Sequence, residues 1–178
     1  MPVLSKVLMM LVLIVAGCSQ GDPGVLVSND TSTNGFRDFS QGTQKSFGIF
    51  VCASGGPVTM ISADAKSSDG EIEVLGAMLY EAADGFVGAV DGFPPEGLDP
   101  ATMEDIQGAV ASSDCDDPDP ATRNQVILGV ERTGTAGGVI DGVTVVFEGG
   151  SIDVDYTIVL CGDADEFCEG FDDEEESG

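Results

Sequence analysis

Apolar and polar residues alternate most strictly near the end of the chain. In SIDVDYTIVLC, Ile152, Val154, Tyr156, Ile158 and Leu160 share one face, while Asp153, Asp155 and Thr157 take the other. A period of two with one apolar face predicts a strand that sets one side on a core and the other in water. Val143, Val145 and Phe147 repeat the pattern in GGVIDGVTVVFE, and Val126, Leu128 and Val130 repeat it in NQVILGVERT. Gly-rich breaks at Gly134 to Gly138 and at Gly149-Gly150 separate these runs, so the spacing predicts a closing three-strand meander. Upstream, KSFGIFVCAS, VTMISADAK and EIEVLGAMLYE are β-prone runs divided by Gly55-Gly56-Pro57 and Ser68-Asp69-Gly70. Phe47, Ile49 and Val51 are expected to face inward, which turns Cys52 off the core.

One stretch breaks the period. In LDPATMEDIQGAV, Asp99 can cap a helix that starts at Pro100, and Met103, Ile106 and Val110 fall at helical spacing. The pattern therefore predicts one short connecting helix. With about seven strands, the expected fold is an all-β, immunoglobulin-like antiparallel β-sandwich, and a small β-barrel is the alternative.

The start of the chain reads differently. Lys6, the apolar run from Val7 to Val15, and small Ala16 and Gly17 before Cys18 describe a signal peptide over residues 1–17. The run is shorter than the roughly 20 apolar residues that span a bilayer. The four residues VAGC at Val15 to Cys18 are similar to the bacterial lipobox. That resemblance implies lipidation of the Cys18 thiol, cleavage before it and acylation of the new amino terminus. The protein is then expected at the cell membrane, lipid-anchored on the extracytoplasmic face. Residues 18–44 read as the lipidated cysteine and a flexible tether with one short strand at Val25 to Ser28. Residues 45–168 are the expected sandwich, and 169–178 a disordered acidic tail.

Setting Cys18 aside leaves Cys52, Cys115, Cys161 and Cys168, an even set that suits disulfides in an oxidising compartment. Three pairings are open. The preferred one is Cys52–Cys161 with Cys115–Cys168, which would draw the acidic loop and the acidic tail together. No CxxC pair supports a zinc site.

Charge narrows the partners. The chain carries a formal charge of −26 with no histidine and no tryptophan. Nucleic acid is excluded as a partner, since its binding needs Lys and Arg on phosphates, and so is electrostatic docking on anionic headgroups. A basic or cationic partner protein, or a cation, is compatible. Solubility alone, or a saline habitat, would produce the same excess. Asp114, Asp116, Asp117 and Asp119 in SDCDDPDP, with Asp163 and Asp165 in GDADEF, are the candidate ligands for a weak calcium site. They lack the EF-hand spacing, and solvated loops are the competing reading.

Catalysis finds no footing. Without histidine there is no Ser-His or Cys-His pair. The GTAGG run lacks the P-loop lysine and reads as a hairpin turn. Asn29-Asp30-Thr31 fits the N-x-Thr glycosylation pattern, which is meaningless in a bacterial lipoprotein. No enzyme activity and no cofactor are expected.

The pieces VAGC, FVCASGGPVTM and YTIVLC together resemble small secreted lipoproteins of bacteria, especially actinobacteria. In these a lipobox and tether precede a strand ending in Val-Cys, and a closing hairpin ends in Leu-Cys. The acidic tail and Cys168 depart from that layout. The resemblance implies no activity and no site residues. The expected function is a non-enzymatic binding or accessory module of the cell envelope, with metal-ion binding as the alternative.

Overall fold

The computed structural model describes residues 24–36, 40–81, 87–117 and 123–162. They form twelve strands: β1 (Val25–Val27), β2 (Thr33–Phe36), β3 (Gln44–Ser54), β4 (Val58–Ala65), β5 (Ser68–Gly70), β6 (Ile72–Glu81), β7 (Ala89–Asp91), β8 (Met103–Asp105), β9 (Val110–Ala111), β10 (Asn124–Arg132), β11 (Gly137–Phe147) and β12 (Gly150–Cys161). The first sheet has the order β1-β3-β10-β6-β8, with β7 also on β3; the second has the order β2-β12-β11-β4-β9, with β5 also on β11. The fold is an all-β sandwich. Six strands are long, and the other six are edge pieces of two to four residues, too short to show any period in sequence.

The inward faces are the expected ones. Phe47, Ile49 and Val51 meet Val126, Leu128 and Val130, and both sets pack on Val143, Val145, Phe147, Val154, Tyr156, Ile158 and Leu160 in one core. Each of these side chains is withdrawn almost completely from water, and burial of that apolar area is what holds the two sheets together.

Three expectations are corrected. First, the meander fails at its first member. β11 and β12 form the expected hairpin, but both edges of β10 are taken by β3 and β6. Residues 133–136 therefore carry the chain from one sheet to the other and are no hairpin turn. The buried Arg132 makes that crossing: its Nε donates to Gly134 O at 2.6 Å, and its two terminal nitrogens donate to Thr135 O and Cys161 O. Second, the helix shrinks to a single 3-10 turn at Pro100–Thr102. The Asp99 cap is present, with its carboxylate accepting from Ala101 N at 2.9 Å, but the chain then extends into β8. Met103 packs on the outer face of the first sheet, whereas Ile106 enters the core. Gly108 then takes a positive φ of 88°, which no helix interior accommodates. Third, the stretch read as a tether holding one strand supplies two. β1 pairs with β3 in the first sheet, and β2 runs parallel to β12 in the second. Polar TNGF shows no apolar period, so nothing in its sequence marks it as a strand.

The first sheet is also covered on its outer face. Tyr80, Val87 and Ile127 are buried there, with Met78, Val90, Leu98 and Met103 packed on them. Gln125 fastens the cover, since its amide accepts from Val87 N at 3.0 Å and donates to Val87 O at 3.4 Å. Phe93 lies over the paired glycines Gly76 and Gly129. A Cβ on Gly129 would overlap that ring.

Candidate functional site

The preferred disulfide pairing is overturned. Cys52 is bonded to Cys115 across a separation of 63 residues. The reason is register: Ser113 to Cys115 continue along β3 where β10 stops, with Ala53 N donating to Ser113 O at 2.7 Å and Cys115 N donating to Ala53 O. Asn124 locks this segment, because its Oδ1 accepts from the amides of Ser112 and Ser113, both at 2.9 Å. Cys115 thus arrives beside Cys52 on the outer face of the first sheet. Closing a loop of that length restricts the unfolded chain by roughly 4 kcal/mol. Cys161 is disulfide-bonded as well; Cys18 and Cys168 lie outside the described residues.

The proposed calcium ligands are not drawn together by this bridge. With Cys115 on Cys52, the bridge does not tie its loop to Cys161 or Cys168. Asp114 Oδ1 accepts from Asp116 N at 3.0 Å, and Asp117 N donates to Asp114 O. The carboxylate is used by its own turn. Among the described residues, no three His, Cys, Asp or Glu side chains converge on a metal-sized space. Asp119, Asp163 and Asp165 lie outside the described residues.

Beside the bridge is a pocket of about 150 Å³, lined by Val27, Ser28, Asn29, Asp30, Phe50, Val51, Cys52, Cys115 and Arg123. Its origin is a gap in the sheet edge. β1 covers β3 at Cys52–Ser54 and β7 covers it at Lys45–Phe47, which leaves the stretch between them without a partner strand. Side chains fill in at Phe50. Ser28 Oγ donates to Phe50 O at 2.7 Å, and Phe50 N donates to Asp30 Oδ2 at 3.4 Å. Asp30 Oδ1 is held in turn by Ser32 N and Ser32 Oγ, at 3.1 and 2.6 Å. Arg123 also lines the pocket, and its Nε is buried without a hydrogen-bond partner. Among the described residues, Arg123 joins no salt bridge.

The sequence reading missed both charged members. Asp30 was visible only as part of an N-x-Thr triplet. Arg123 was visible as one of six cations, placed immediately before an apolar strand.

The second sheet offers a contrast. Its outer face carries Lys66 Nζ 3.1 Å from Asp153, which also accepts from Thr144 Oγ1 at 2.8 Å. The bond from Thr144 and then that from Lys66 hold the Asp153 carboxyl below the usual carboxylate range, and Asp153 raises Lys66. Both side chains are exposed on the surface, so the pair contributes little.

No family model matches this chain, and no curated protein or solved structure is similar to it at a significant level. No helix among the described residues is long and apolar enough to cross a membrane.

Proposed function

We propose that the protein is a non-enzymatic binding module of the cell envelope, held at the extracytoplasmic face of the membrane by lipid on Cys18. What carries this reading is the pocket walled by the Cys52–Cys115 bridge. A disulfide in the wall suits an oxidising compartment, and a concave space with a few polar groups is where small ligands bind. Pairing Cys161 with Cys168 uses up the remaining fold cysteines and leaves Cys18 for the anchor. Two or more acyl chains make a lasting attachment, because each buried methylene adds about 0.8 kcal/mol.

The test is fractionation of a bacterium that makes the full chain. The parent protein is expected to sediment with membranes, and Cys18→Ser to appear in the soluble fraction. Membrane retention of Cys18→Ser would overturn the anchor.

A further inference from the structure

We infer that the pocket beside the Cys52–Cys115 bridge binds a free α-amino acid, with the ligand carboxylate on Arg123 and its ammonium on Asp30. The inference deepens the binding-module reading and rests on it.

Three observations carry the ligand class. The first is the state of Arg123. A guanidinium has five donors in a fixed fork; Nε of Arg123 is closed to water and to a ligand alike, whereas its terminal nitrogens are neither buried nor held by a described group. A carboxylate is the acceptor whose two oxygens match a pair of those donors. The second is the opposite charge across the same cavity. Asp30 spends its oxygens on Ser32 and on the long bond from Phe50 N, and a carboxylate offers about four lone-pair sites. One is left for an ammonium. Arg123 and Asp30 form no salt bridge with each other, so each is open to a ligand group of the opposite sign.

The third is what the surroundings exclude. A net charge of −26 repels phosphate and other multiply charged anions, whereas a zwitterion feels no net repulsion. An extended peptide adding to the open edge of β3 is excluded too, because Ser28 and Asp30 already hold the Phe50 carbonyl and amide. A pocket of about 150 Å³ holds on the order of ten water-sized groups, the scale of an amino acid.

Calorimetric titration of the full chain in detergent tests this, using each of the twenty amino acids, acetate, methylamine and glycylglycine. At least one amino acid is expected to release or absorb heat at millimolar concentration or below. Acetate and methylamine, each carrying half of the recognised charge, are expected to bind about ten- to a hundredfold more weakly. Arg123→Gln is expected to lose a similar factor with its thermal midpoint unchanged, and Arg123→Lys to fall between. Silence from all twenty amino acids overturns the inference, as does acetate or glycylglycine binding equally well. Equal binding by Arg123→Gln overturns it too. Because the titration reads ligand and the fractionation reads location, failure here leaves the anchor standing, and failure there leaves the pocket standing.

Discussion

The two sheets answer water differently. β10, in the first sheet, is buried along nearly its whole length on both faces, whereas β12, in the second, keeps Ser151, Asp153 and Asp155 in solvent. Both faces of β10 are packed along its length, whereas the outer face of β12 is packed only near its end, where Val159 and Cys161 are buried with Val139 against them. The segment from Val87 to Met103 makes the difference, because it lies on the first sheet and nothing comparable among the described residues lies on Asp153 and Asp155. The covered sheet is also the one that carries the bridge and the pocket. A strand edge bounded by fixed neighbours keeps the polar groups of the pocket in place, and a solvated face does not.

Substitutions on either side of β10 put this contrast to the hardest test. Leu128 faces the inner core and Ile127 the outer cover, and both are wholly buried. Leu128→Ala and Ile127→Ala are each expected to cost about 2–5 kcal/mol in denaturant unfolding. A cost for Ile127→Ala below about 1 kcal/mol would mean that the cover packs too loosely to count as a second core. Next in size is Gly129→Ala, which pushes a methyl into the Phe93 ring. The expected loss is about 1–3 kcal/mol, and Phe93→Ala in the same chain should return part of it. Full additivity of the two would show that the ring does not rest on the glycine pair.

The smallest effect belongs to the two neighbours Asp155 and Tyr156 on β12. Asp155 is exposed, while Tyr156 is buried and its phenol is raised above its usual value, first by burial and then by the charge of Asp30. The folded state therefore holds the phenolic proton over a range where the unfolded chain has released it. Stability tied to this group is intact below the unfolded value of about 10 and declines as the pH rises above it. Tyr156→Phe should flatten the loss of stability above about pH 10. Equal alkaline slopes for the two chains would show that Tyr156 ionises without leaving the core.

The same contrast explains what could be read from sequence. β11 and β12 were legible because Asp153 and Asp155 interrupt the apolar residues at every second place. β10 was legible as a strand but not in its pairing. Ile127 and Gly129 break the alternation of Val126, Leu128 and Val130, and a strand covered on both faces carries no sign of which neighbour it has. The fold class and the inward faces therefore followed from the period of two, and the sheet membership of β10 did not. β2 and β8 were silent because strands of three or four residues repeat the period of two at most twice, too few times to stand out. The helical spacing of Met103, Ile106 and Val110 was real as a pattern, but those residues serve separate surfaces. The pocket was hidden for another reason. Its charges, Asp30 and Arg123, come from segments 93 positions apart, and only the register of β3 with its short neighbours brings them together.

The short strand β1 has a mechanical consequence. A pull on the chain ahead of Gly24 reaches Val25–Val27 first, and those three residues peel from Ser54–Cys52 one pair at a time. Ser28 and Asp30 come next, and they are the pocket wall. The wall thus yields to tension before the sandwich behind it does. A bound ligand that bridges Asp30 to Arg123 would raise the force at which it yields.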